Sequence, residues 1–154
     1  MSFDNVKRYF EENGLSNRVR VLVSSIATVE LAANAINCEA RQIAKTLSFF
    51  ADESPILIVT AGNVKVDNKK YKDRFGEKAK MIPHGLVEEH IGHESGGVCP
   101  FAINPDVKVY LDVSLKSNEY VYPAAGNAHS AVELSIEELE QHSYYVDWVD
   151  VCSG

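Results

Sequence analysis

An α/β fold, with one mixed, barrel-like sheet of six or seven strands flanked by three or four helices, is what this sequence predicts. Three observations carry it. Short runs rich in β-branched and aromatic residues recur, as at Val19-Arg-Val-Leu-Val23, Pro55-Ile-Leu-Ile-Val-Thr-Ala61 and Val107-Lys-Val-Tyr-Leu-Asp112. Between them lie stretches whose apolar residues repeat at helical spacing. Glycine and proline punctuate the joins, at Gly14, Gly62, Gly76, Pro83 and Gly92.

Taken in order, Phe3, Val6, Tyr9 and Phe10 predict a helix over 3–15 that stops at Gly14. A strand follows over 19–23. Thr28 suits an N-cap, with Leu31, Ala32, Ala35 and Ile36 marking the helix it opens. A short helical turn over 40–44 leads into a strand over about 44–50. The continuous apolar run 55–61 reads as a strand covered on both faces. Val66 to Phe75 is a polar helix ending at Gly76, 79–82 a short strand cut by Pro83, and His84 to Ile91 a helix ending at Gly92. Strands over 107–112, 120–122 and 131–134 come next. Ser135 then opens a helix over 136–141 with Glu138 placed for a capping box, and 144–151 alternates as a last strand.

The 154 residues read as one domain over 1–154, able to bury roughly 68–70% of their unfolded surface. With 45% hydrophobic and 24% charged residues the chain has the composition of a soluble globular protein. No apolar run approaches the ~20 residues that cross a bilayer, and Met-Ser-Phe-Asp-Asn-Val-Lys-Arg has no apolar signal core, so no membrane partner and a cytoplasmic location are expected. Cys38, Cys99 and Cys152, odd in number and far apart, fit free thiols in a reducing compartment. The net charge of −7 argues against a general nucleic-acid coat. Yet residues 65–80 hold seven basic against three acidic side chains, a local charge of +4. That run is either a solvated helix face or a footprint for phosphates, with Lys69, Lys70 and Lys72 at its centre.

Ala40-Arg-Gln-Ile-Ala-Lys-Thr-Leu-Ser-Phe-Phe50 is the most informative stretch. On a strand, Lys45 shares a face with Leu47 and Phe49. Its stem either snorkels to solvent, or its ammonium is directed inward and must meet an anion or strong acceptor to offset several kcal/mol of desolvation. The second stretch is Gly96-Gly-Val-Cys-Pro100. Adjacent glycines admit a close approach, consecutive amides can bind an anion or developing oxyanion, and Pro100 stiffens the exit. A plain surface turn is the alternative. Ala124-Ala-Gly-Asn127 offers a third small-residue opening.

Other chemistries find less support. Cys99 with His93 or His129 forms a possible thiol–imidazole pair, but no third group orients it. His84, His90, His93 and Cys99 do not have the spacing of a closed zinc site. Ser95 and Ser130 lack a Gly-x-Ser-x-Gly context. Neither Walker A nor GxGxxG is present. No metal and no cofactor are expected.

Five segments occur together in order: Gln42-Ile-Ala-Lys-Thr-Leu47; Ile58-Val-Thr-Ala-Gly62 with Val66-Asp67; Gly96-Gly-Val-Cys-Pro-Phe101; Val109-Tyr-Leu-Asp112; and Ala125-Gly126 with Val132-Glu-Leu134. Over roughly 19–139 the chain resembles the YbaK/prolyl-tRNA-synthetase-associated editing domains. That resemblance implies a barrel-like mixed sheet and hydrolysis of the ester of a mischarged tRNA, by a freestanding or synthetase-appended domain. It places the family's essential lysine on Lys45 and its Gly-x-x-x-Pro loop on Gly96 to Pro100, so that Lys45, Gly96 and Gly97 are the expected catalytic positions. The expected substrate-binding positions are Thr46, Val98, Cys99, Pro100, Phe101, Ala125, Gly126 and His129. Mischarged aminoacyl-tRNA is the implied partner, with an aminoacyl-tRNA synthetase as a second. Cysteine-specific members carry a small polar residue before the glycine and an acidic one in the next strand. Here those neighbourhoods read Ala124-Ala125-Gly126 and Ala131, which points to a smaller residue such as alanine or serine, on a proline tRNA or a related one. The rival reading is a non-catalytic RNA- or nucleotide-binding module on the same fold.

Overall fold

The structure, a computed structural model, describes residues 2–154. Helix α1 (Ser2–Glu12) buries Val6 and Phe10 completely, each stabilising the fold by about 1.5–3 kcal/mol, and is followed by β1 (Val19–Val21). Thr28 accepts a hydrogen bond from the Leu31 amide and opens α2 (Val29–Ile36), which Asn37 closes in the left-handed region. A 3-10 turn at Ala40–Gln42 delivers the chain into β2 (Ile43–Ala51), which turns back through Asp52 and Glu53, both at positive φ, as β3 (Ser54–Ala61). Next come β4 (Lys65–Val66), α3 (Asn68–Phe75) and α4 (Val87–Ile91), with Gly76 and Gly92 ending the two helices at positive φ. The remainder is β5 (Lys108–Asp112), β6 (Tyr120–Pro123), β7 (Ser130–Val132), β8 (Leu134–Ser135), α5 (Ile136–Ser143), β9 (Asp147–Val149) and β10 (Cys152–Ser153). Ser135 and Glu138 form the capping box that the sequence signals at α5.

Six strands form the main sheet in the order β8-β6-β2-β3-β5-β9, with β2–β3 antiparallel and β3–β5, β5–β9 and β2–β6 parallel. The sheet is a curled half-barrel whose edges are β8 and β9; β1 pairs with β7 and β4 with β10 in two small ribbons. Strand β3 is covered on both faces, as its continuous apolar run requires. Leu57 and Val59 join the core beneath α1 and α5, whereas Ile56 and Ile58 pack with Phe49 and with Tyr71 of α3 on the opposite face.

Three expectations change. The run 131–134 divides at Glu133, because β7 pairs with β1 while β8 pairs with β6. The run 144–151 keeps only three residues as β9, since Tyr144 takes the left-handed conformation that terminates α5 and the chain then leaves the sheet for β10. The expected strand at 79–82 is a single bridge between Met81 and Phe49. That bridge shapes the site. Strand β6 covers β2 only at Ile43 and Ala44, and residues 80–82 cover it only from Ser48 onward, through Ile82 N–H to Ser48 O at 3.0 Å and Phe50 N–H to Lys80 O at 2.9 Å. Between those patches no described residue pairs with the edge of β2.

Candidate active site

The uncovered edge forms the floor of a cavity of about 570 Å³, lined by Lys45, Thr46, Leu47 and Ser48 of β2, by Ser95, Gly96 and Val98 opposite, and by apolar side chains of α2 and the segment before it. Its size is within the range of small-molecule sites. Ser48 and Phe50 direct their backbone groups toward this edge, so the alternation of the strand gives Thr46 the same direction. Thr46 therefore offers its main-chain N–H and C=O to the cavity. Among the described residues its hydroxyl is buried without a hydrogen-bond partner. Buried polar groups left unpaired cost on the order of 1–3 kcal/mol, which a ligand making those bonds would recover.

Lys45 sits at the end of this floor, half-buried, on the face that carries Leu47 and Phe49 toward α3. Its ammonium donates to the carbonyl of Val64 and, at 3.5 Å, to that of Gly62. Both acceptors lie just beyond β3, where the chain can turn tightly because Gly62 has no side chain: a Cβ there would strike Ala40 O and come within 2.8 Å of Val29 Cγ1. The Val64 side is braced by the end of the chain. Strand β10 pairs with Lys65 and Val66, Asp67 N–H donates to Val151 O at 2.7 Å, and the buried Asp112 carboxylate accepts from the amides of Val151 at 2.9 Å and Ser114 at 3.0 Å. Burial pulls the Lys45 pKa below that of a free lysine, and the nearby Lys65 pulls the same way. Two of the three ammonium protons are held, which fixes the group and leaves one for a ligand.

The loop opposite is a 3-10 turn at Ser95–Gly97. Gly96 lines the cavity, and a Cβ on it would make only ordinary contact with Ala128 at 3.4 Å. Gly97 does not line it. Its amide donates to Glu94 O at 2.9 Å, and the residue is pressed against the backbone of Gly126 and Asn127. The expectation of two open amides is corrected to a wall glycine followed by a packing glycine. Val98 lines the cavity. The side chains of Cys99 and Phe101 turn the other way into the core, and Pro100 faces a separate hollow near Tyr9 and His142. Cys99 Sγ lies 3.5 Å from His93 Nε2, yet both residues are fully buried, and burial pushes the thiol up to about 12. His93 Nε2 donates to Phe101 O at 2.6 Å, so this pair ties the loop together inside the protein.

Ala125 is buried behind the cavity, and Gly126 takes a φ of 100° where a side chain would strike the backbone of Ser2 and Phe3. Ala124, their neighbour, lines the wall instead. His129 is exposed and stands apart from the lining. On α3, Lys69 pairs with Asp73 at 3.1 Å and Lys70 with Asp150 at 3.2 Å, while Lys72 has no carboxylate within reach among the described residues. These are exposed pairs that phosphates could replace at little cost. The four residues considered for zinc do not come together: His93 and Cys99 are buried, His84 meets Ser95, and His90 packs on Phe50. Sequence reasoning missed the Ser95–His84 contact and the Thr46 main chain, because neither leaves a mark in residue spacing.

The aminoacyl-tRNA editing domain family matches this chain over residues 23–141. This chain belongs to that family. A protein of Bacillus subtilis (strain 168), the uncharacterized protein YwhH, is 46% identical over 153 residues, covering 99% of this chain and 98% of its own. The proline–tRNA ligase of Lactiplantibacillus plantarum is 22% identical over 135 residues; this chain spans about a quarter of the ligase's length. A solved structure described as a candidate trans-editing enzyme for prolyl tRNA synthetase superposes with a TM-score of 0.87 at 27% identity, covering 99% of this chain and 98% of that one. Editing-domain membership thus agrees with the mixed sheet and with the resemblance carried by the five segments. Among the described residues no helix is long and apolar enough to cross a membrane.

Proposed function

We propose that the whole chain, residues 1–154, is a trans-editing deacylase of the cytoplasm that hydrolyses the ester of a mischarged tRNA, removing a small amino acid such as alanine or serine from a proline tRNA or a related one. The observation that carries this reading is the shared cavity: Lys45, Thr46 and Gly96 line one hollow, with the Lys45 ammonium held by the carbonyls of Gly62 and Val64. An aminoacyl ester is already activated, so water attack needs positioning and oxyanion stabilisation more than a strong nucleophile. In this reading the free proton of Lys45 holds the 3′-terminal adenosine or its phosphate. The Thr46 and Gly96 main chains orient the ester carbonyl and the attacking water, and Gly97, Pro100 and Gly126 keep the loop in place. Ala124, Val98 and Thr46 bound the side-chain pocket. The basic segment that begins at Lys65, next to the Val64 anchor, supplies Lys69, Lys70 and Lys72 for the tRNA backbone. The synthetase whose error is corrected is the second partner.

The test is deacylation of a panel of mischarged tRNAs by the purified protein. Release of a small amino acid from at least one member is the expected result. Binding of those tRNAs without cleavage of any would favour the non-catalytic RNA-binding module.

A further inference from the structure

We propose that Ser95 and His84 form the proton-accepting pair for the water that attacks the ester, an assignment that rests on the deacylase reading above. Ser95 Oγ lies 2.6 Å from His84 Nε2, and both residues line the cavity that holds Lys45, Thr46 and Gly96. The two side chains come from different turns. Pro83 sets the start of the 3-10 turn that carries His84, and Ser95 begins the turn that carries Gly96. Their meeting therefore does not follow from neighbouring sequence.

The composition of the wall singles the pair out. No Asp or Glu lines the cavity among the described residues, the Lys45 ammonium is a donor, and burial raises the Tyr122 phenol, whose hydroxyl is already given to Glu133 at 2.8 Å. Among the described residues, His84 carries the one lining imidazole, a ring nitrogen that can accept the proton of a neighbouring hydroxyl. With Nε2 accepting from Ser95, the ring proton resides on Nδ1. The Ser95 oxygen keeps its lone pairs for a water molecule beside Gly96.

The step balances without a co-reactant. The water oxygen bonds to the carbonyl carbon while its proton passes to Ser95 Oγ and the Ser95 proton passes to His84 Nε2. Collapse of the oxyanion re-forms the carbonyl and breaks the bond to the ribose oxygen. That oxygen takes the proton back from His84 through Ser95. Free amino acid and tRNA leave, and the ring is neutral again.

Single-turnover deacylation by wild type, Ser95→Ala, His84→Gln and the double variant tests the pair, on whichever mischarged tRNA the wild type cleaves. General acid–base catalysis contributes ~10²–10⁴-fold, so each single variant is expected to lose on the order of 10² in rate at saturating enzyme with unchanged tRNA affinity. The double variant should be no slower than the slower single one. His84 is exposed and Ser95→Ala removes one oxygen, so unchanged melting curves will accompany the loss. Wild-type rates in either single variant would overturn the pair and leave the deacylase reading standing. Loss confined to affinity, or an acylated Ser95 found by mass spectrometry after acid quench, would equally overturn the water relay. A wild type inactive on the whole panel would sink the deacylase reading, and the relay with it.

Discussion

Gly97→Ala isolates the packing of the Gly96 loop against the backbone of Gly126 and Asn127. A Cβ at Gly97 would fall on the Cα and N of Asn127 and stand 2.5 Å from the carbonyl carbon of Gly126. The nearest of these atoms would lie at 2.4 Å and ordinary contact begins near 3.4 Å, so backbone must shift by about 1 Å, and no flexible side chain can absorb it. Gly97 is not at positive φ, so the penalty is steric and not conformational. Overpacking of a close-packed site costs about 1–3 kcal/mol, and a clash confined to main-chain atoms belongs at the upper end. For a domain of this size that is a fall in Tm of roughly 6–12 °C, since each kcal/mol is worth about 2–4 °C. Gly96→Ala is the control: its Cβ meets Ala128 at 3.4 Å and Ala27 at 4.0 Å, so its Tm should stay near wild type. Thermal unfolding of both variants decides. Equal melting of Gly97→Ala and wild type would refute the claim that this glycine sets the loop.

Three further outcomes follow from the geometry. Asp112→Ala removes the carboxylate that holds the amides of Val151 and Ser114; with each charge-assisted bond worth about 1.5–3 kcal/mol, urea unfolding should show a loss of about 3 kcal/mol or more. A smaller loss would mean the chain end is not braced there. Burial holds the His93 imidazole below its ordinary 6.5, so the unfolded chain takes up a proton first as pH falls. Stability from this group is therefore complete above about 6.5 and declines below it, and His93→Gln should lessen the drop in Tm between about pH 7 and pH 5. An unchanged drop in the variant would assign it to other groups. Burial pushes the Cys99 and Cys152 thiols up to about 12, so iodoacetamide at about pH 8 should label Cys38 alone in the native protein; rapid modification of Cys99 would contradict its place in the core.

Much of the fold was legible because its signals are local. Thr28, Gly76, Gly92 and the Ser135–Glu138 box mark helix ends through side chains that bond or spare their own backbone. The apolar run of β3 announces a strand with two covered faces. Strands β7 to β10 were harder, since a strand of two or three residues is chosen by its partner and not by its own residues. At the site, Lys45 was legible because an isolated cation between apolar neighbours demands a reason. What holds it was not: the carbonyls of Gly62 and Val64 belong to no side chain, and their position depends on β10 at the far end of the chain. The role of Gly97 escaped for the same reason, because paired glycines look alike in sequence while one faces a cavity and the other a neighbouring backbone. The basic segment read as +4 is partly neutralised by Asp147 and Asp150, which lie more than seventy residues away in the chain.

The anchored ammonium at the end of the open strand edge is best tested by single-turnover deacylation with Lys45→Ala on a tRNA that the wild type clears. A loss on the order of 10²–10³ in rate, with an unchanged circular dichroism spectrum, is the predicted result. Undiminished deacylation by a folded Lys45→Ala protein would remove Lys45 from the mechanism and contradict the account.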